Sequence, residues 1–157
     1  VTHWLTLHIP IVKRVVYNAN LARFSRILGT LLKSGLNIDE ALEVTGRSLD
    51  NYYFKRALVR INDRVGKGAK FSDSLGDYKK LFPTMTSRMV FVGEESGKLE
   101  ETLLYLAGFY EAEVDNATKS LATAIEPVLL IFIGVIVGFL ALSIITPIYN
   151  ITGNIRR

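Results

Sequence analysis

The residues of this chain best placed to do chemistry form the run Gly93-Glu94-Glu95-Ser96-Gly97-Lys98, whose two glycines and Gly-Lys pair invite comparison with a phosphate-binding loop. Such a loop needs four residues between its glycines and Ser or Thr after the lysine, so that backbone N–H groups and a hydroxyl reach phosphate and Mg²⁺. Here three residues intervene and Leu99 follows Lys98, so nucleotide binding is not expected. The run reads equally well as a surface offered to a partner and as a tight turn, with Glu100 and Glu101 favourable at the positive start of the next helix. Glu94, Glu95, Glu100 and Glu101 carry the hard oxygens that Ca²⁺ prefers, but not at the spacing of a calcium loop. The chain has no Cys and two histidines, His3 and His8, both near its start. That removes thiolate metal sites, disulfides and the common nucleophile–base pairs. No catalysis, metal or cofactor is expected.

A second candidate is the set Arg56, Arg60, Arg64 and Lys67, spaced to share one side of a helix. It has three readings: a solvated face, a contact for anionic headgroups or an acidic protein partner, and a nucleic-acid surface. The last is disfavoured because the net charge is only +4 and no recognition motif accompanies the ridge.

These residues must be positioned by helices. With 157 residues the chain has room for one modest domain. Leu21, Phe24, Ile27, Leu28, Leu31 and Leu32 form a helical stripe that Ser34-Gly35 stops. Asn37 is expected to cap the next helix, with Glu40 completing a capping box while Ile38, Ala41 and Leu42 pack inward. A third helix runs over residues 51–65, burying Phe54, Ala57, Leu58, Ile61 and Val65 and presenting the basic ridge outward. Gly66 and Gly68 break it, and Ser72 is expected to cap a short fourth helix. The segments 35–42 and 68–75 share a layout: Gly, an apolar residue at the fourth place, Leu at the eighth. Phe82-Pro83 opens a fifth helix, apolar nearly all round at Met85, Met89, Val90, Phe91 and Val92 and so expected at the bundle centre. A sixth follows the 93–98 turn, with Leu99, Leu103, Leu106, Phe109, Tyr110 and Val114 along its inner side.

Residues 128–146 hold no Asp, Glu, Lys or Arg. About 20 apolar residues rising roughly 1.5 Å each cross a hydrocarbon core of about 30 Å, so this stretch reads as a transmembrane helix. The other reading, a buried core helix, needs more surrounding protein than so small a chain supplies. Pro127 is expected in its first turn, with Glu126 beside it where the chain enters the membrane, and Pro147 is expected to end or kink it. Gly134 and Gly138, with Ala141 a turn further, make a G-x-x-x-G face suited to helix packing in lipid. At the other end, Leu5, Leu7, Ile9 and Ile11 alternate around Pro10, and an extended lead-in near a membrane surface is expected there, with Trp4 at headgroup level. Position 1 is Val and no secretion-signal pattern precedes the domain, so the chain is expected to be the C-terminal part of a longer protein.

Laid out this way, the chain resembles the platform proteins of type IV pilus and type II secretion machines, the PilC/GspF family, over nearly its whole length. The matching residues are Leu7-His8-Ile9-Pro10-Ile11, Arg23-Phe24, Leu31-Leu32-Lys33-Ser34-Gly35, Ala41-Leu42, Gly68 before Leu75, Phe82-Pro83, Glu126-Pro127 and Pro147. Its specific part is the turn Gly93-Glu94-x-Ser96-Gly97-x-Leu99 followed by Glu126-Pro127.

The periodic stripes and short joints themselves read as an all-α fold: an antiparallel six-helix bundle followed by one C-terminal transmembrane helix. The resemblance adds a multi-pass bacterial inner-membrane protein with two related cytoplasmic domains. This chain is similar to the second: a lead-in over 1–19 from a missing membrane segment, a bundle over 20–124, a transmembrane helix over 125–149 and a tail over 150–157.

The implied function is a non-catalytic scaffold that self-associates and couples a cytoplasmic assembly ATPase to pilin or pseudopilin insertion. On that analogy the 93–101 turn and the basic ridge become candidate contacts to the ATPase or to other subunits. The bundle is placed in the cytoplasm and the tail outside. Arg156 and Arg157 on the tail pull against that orientation, and Lys13, Arg14 and Arg23 favour it. Two other classes compete: a membrane-anchored adaptor binding anionic lipid or nucleic acid through the ridge, and a small membrane hydrolase, which lacks a nucleophile–base set.

Overall fold

The computed structural model describes the backbone of residues 2–153 and the side chains of residues 12–120, 123, 125, 127 and 129–143. Among the described residues there are six helices and no strand: α1 (Thr2–Lys33), α2 (Ile38–Ser48), α3 (Tyr52–Gly66), α4 (Phe71–Gly76), α5 (Thr84–Glu95) and α6 (Leu99–Gly153). The chain divides into two units, Val1–Ala117 and Thr118–Arg157. The all-α class expected from periodicity is what the chain forms.

The first unit is built on the stripes read above. Leu21, Phe24 and Leu28 of α1, Leu42 of α2, Phe54, Leu58 and Ile61 of α3, Leu75 of α4 and Leu103 and Leu106 of α6 are buried in one cluster. At its centre stands Phe82, in the turn before α5. Its ring lies 5.0 Å from that of Phe24 and 5.3 Å from that of Phe54, tilted and edge-on, the geometries aromatic quadrupoles favour. A Cβ on Gly29 would sit 3.1 Å from Leu103, Arg26 binds Glu111 at 2.6 and 2.9 Å, and Arg14 binds Glu113 at 3.0 Å. Positions fall along α1 as they rise along α6, so the two helices run antiparallel. The Arg26 hydrogen bond, more than its charge, holds the Glu111 carboxyl below the usual carboxylate range and raises the Arg26 guanidinium in turn.

The shared layout of 35–42 and 68–75 is a shared geometry. Gly35 and Gly68 have φ of +91° and +92°, the left-handed conformation that only glycine adopts without strain. Each closes its helix with the same pair of backbone bonds: Leu36 N–H to Leu31 O and Gly35 N–H to Leu32 O, then Ala69 N–H to Arg64 O and Gly68 N–H to Val65 O. The next helix begins at the fourth residue, Ile38 or Phe71, and the eighth, Leu42 or Leu75, is fully buried.

Several expectations are corrected. The backbone over residues 2–11 is helical, not extended. Leu5, Ile9, Val12 and Val16 also recur at helical spacing, and without a partner strand the chain satisfies its backbone groups within a helix. Asn37 occupies the N-cap of α2, but its side chain makes no cap bond; Asn51 caps α3 instead, accepting from the N–H groups of Tyr53 and Phe54. Ser72 lies inside α4, whose N-cap is Lys70. Helix α5 is not at the centre: Val90 is buried while Met85, Phe91 and Val92 are exposed. Pro127 lies in the interior of α6 and Pro147 does not end it, although each proline costs one backbone hydrogen bond.

Among the described residues no helix is long and apolar enough to cross a membrane. The uncharged stretch with described side chains, 129–143, spans about 22 Å, against the roughly 30 Å of a hydrocarbon core. The side chains of Glu126 and Pro147, and Arg156 and Arg157 altogether, lie outside the described residues.

Candidate functional site

The turn over residues 93–99 joins α5 to α6, and nearly every residue in it has a defined task. Gly93 stands where the two helices cross closest: a Cβ there would meet Thr102 Oγ1 at 2.5 Å and Thr102 Cβ at 2.9 Å. Nearer the other end of the hairpin, the hydroxyls of Thr86 and Tyr110 share a buried hydrogen bond of 2.6 Å. Burial pushes the Tyr110 phenol above its ordinary value, and the bond to Thr86 opposes that shift. Gly97, with φ of +68°, reverses the chain, and α5 closes through Lys98 N–H to Gly93 O at 2.8 Å and Gly97 N–H to Glu94 O at 3.3 Å. Ser96 Oγ donates back to the carbonyl of Val92 at 2.7 Å.

The two central carboxylates face a third helix. Glu94 accepts from Phe71 N–H at 2.8 Å through one oxygen, and from Ser72 N–H at 3.0 Å and Ser72 Oγ at 2.6 Å through the other. It therefore caps α4 from 22 residues away and places negative charge on that helix's positive end. Glu95 binds Lys70 at 2.6 Å; this hydrogen bond and then the charge of Glu95 raise the Lys70 ammonium above its usual range. The same ammonium lies 5.5 Å from the Phe91 ring centroid. Glu100 and Glu101 begin α6, with Lys98 3.9 Å from Glu101. The four glutamates are thus split between the starts of two helices. Among the described residues, no three His, Cys, Asp or Glu side chains converge on a point where a metal could sit.

The basic ridge is divided as well. Arg64 pairs with Asp77, and Lys67 with Asp63 at 2.7 Å. Arg56 and Arg60 are exposed, and among the described residues neither has an ion-pair partner. No hydrogen bond or ion pair among the described residues joins the ridge to the turn; the cation the turn uses is Lys70. Sequence reasoning missed Lys70, Asp77 and Thr102, and no local pattern marks them, since each acts through a residue at least 9 positions away. In the second unit Gly134 and Gly138 have open space around them, Ala141 is exposed, and so is Pro127.

The first unit thus belongs to the class of all-helical bundles, with a joint capped by a carboxylate from another helix. Residues 24–147 match the family described as Type II secretion system (T2SS), protein F, and the chain belongs to that family. It is 38% identical to the type IV pilus assembly protein PilC of Thermus thermophilus over 96% of this chain and 37% of that protein. It is 36% identical to PilC of Pseudomonas aeruginosa over 95% of this chain and 39% of that protein. With the type II secretion system protein F of Aeromonas hydrophila the identity is 29%, over 98% and 40%. The chain spans little more than a third of the length of the curated relatives it matches.

Replacing Gly93 by Ala is expected to destabilise the first unit by about 1–3 kcal/mol, because the new methyl overpacks the contact with α6. Thr102→Ala should restore part of that loss in the double variant, read as a coupling energy in chemical denaturation. Strictly additive losses would show that the two helices do not meet there.

Proposed function

We propose that the chain is a membrane-held, non-catalytic scaffold segment of a type IV pilus or type II secretion machine, which couples a cytoplasmic assembly ATPase to the insertion of pilins or pseudopilins. The supporting observation is the family match together with the character of α6 beyond the first unit. From Leu129 to Leu142 its described large apolar side chains are 44–73% exposed on every side of the helix. A helix apolar all round has to be covered by protein or by lipid. The uncharged run of residues 128–146 rises about 28 Å as a helix, matching a hydrocarbon core. The proposed organisation is a bundle over 20–124 in the cytoplasm, a span over 125–149 and a tail on the far side of the inner membrane. Gly134, Gly138 and Ala141 form the packing face toward a second copy or a neighbouring span.

We propose Lys98, Glu100 and Glu101 at the rim of the turn and Arg56 and Arg60 on the ridge as contacts to another subunit; this is supported by their exposure or half-exposure, while Gly93, Glu94, Glu95, Ser96 and Gly97 are engaged within the fold.

Three measurements test this. The chain has no cysteine of its own, so Asn154→Cys reports topology directly. Labelling by an impermeant thiol reagent in intact cells is expected; labelling only after lysis would reverse the orientation, and a chain soluble without detergent would remove the span. Charge reversal at Arg56 and Arg60 should abolish pilus or secretion function while shifting unfolding by less than about 0.5 kcal/mol; full function would discard the ridge as a contact. Gly134→Leu with Gly138→Leu should weaken association in a membrane reporter by about 1 kcal/mol or more, and unchanged association would retire the packing face.

A further inference from the structure

One end of the first unit carries an arrangement that neither the turn nor the ridge uses. Residues 12–20 of α1, the start of α3 and the turn over 77–83 meet there around a groove of about 300 Å³ lined by Val12, Lys13, Val16, Asn51, Tyr53 and Leu81. Its rim is apolar and aromatic. Val12 and Val16 are exposed, and so are Tyr52 and Tyr53, by 64% and 69%, with their rings 5.9 Å apart edge to face. Tyrosines presented to solvent on an apolar rim have the amphipathic character of residues that settle at a membrane–water interface.

The charges at this end are unbalanced in one direction. Lys13, Lys79 and Lys80 are exposed, and among the described residues none of the three has an ion-pair partner. The acids nearby are engaged: Asp50 with Arg23, Asp77 with Arg64, and Glu113 with Arg14 at 3.0 Å. Asp115, also exposed, forms no ion pair with these cations among the described residues. The end is therefore a patch of free cations around an apolar, aromatic rim, complementary to a surface that is anionic and has an apolar interior.

We infer that this end of the bundle rests on the anionic headgroups of the membrane: Lys13, Lys79 and Lys80 pair with lipid phosphate, and Tyr52 and Tyr53 lie at headgroup depth. This rests on the membrane span proposed above.

The test uses the full chain reconstituted into phosphatidylcholine vesicles with or without about a quarter phosphatidylglycerol. A donor dye is placed on Thr84→Cys, at this end, or on Lys33→Cys, at the other, with an acceptor dye on lipid headgroups. Energy transfer at position 84 should exceed that at position 33 at least about twofold in anionic vesicles. It should fall toward the phosphatidylcholine value between about 0.1 and 0.5 M salt, and likewise in the Lys13→Gln, Lys79→Gln, Lys80→Gln variant. Transfer at position 84 that ignores lipid charge, salt and these substitutions, in a chain that floats with both kinds of vesicle, overturns the contact and leaves the span standing. A chain that floats only with anionic vesicles and is released by salt keeps the contact and removes the span; flotation with neither removes both.

Discussion

A missing methyl group sets the spacing of the α5–α6 hairpin. With any side chain at position 93 the two helices would have to part, because Thr102 already fills the space where a Cβ would go. Their approach fixes where α5 ends, and so where Glu94 and Glu95 point. Glu94 reaches the start of α4 and Glu95 reaches Lys70, so a steric fact about one residue becomes the attachment of a third helix. The turn Gly93-Glu94-x-Ser96-Gly97-x-Leu99 is accordingly a structural joint first. Its letters follow from close approach, capping in trans, back-bonding and chain reversal.

The helices were legible because their apolar residues recur at the period of an α-helix. The two glycine joints were legible because Gly followed by an apolar residue at the fourth place and Leu at the eighth is a local pattern. What could not be read is what depends on distance along the chain. Asn37 and Asn51 are the same residue type ahead of the same kind of helix, yet only Asn51 caps. Ser72 looked like a cap and is instead a donor to a carboxylate from the next hairpin. The five apolar letters of α5 do not say which neighbours cover them: α6 covers one side, Lys70 lies over Phe91, and Val92 faces outward. At the chain's start, Leu5, Leu7, Ile9 and Ile11 support an alternation while Leu5, Ile9, Val12 and Val16 support a helix, and the helix is the form that satisfies backbone groups without a partner.

Charge is distributed as economically as the glycines. Arg14, Arg23, Arg26, Arg64, Lys67 and Lys70 are each matched to an acid, five of them to one at least 13 residues away and all at sites open enough to water that each pair contributes little alone. Their larger effect is to decide which cations remain free. Belonging to the T2SS protein F family gives those free cations a context, and their positions on the fold separate two surfaces that the sequence presents as one basic composition.

Six residues make up α4, too few to persist as a helix by themselves. Its first turn is held by an acid that belongs to a different helix, and its last residue leads into the turn that carries Phe82 to the centre of the core. The α4 segment therefore has no private stability: loosening the hairpin would fray it, and fraying it would withdraw the central aromatic ring. A unit wired in this manner is expected to melt as a whole rather than helix by helix.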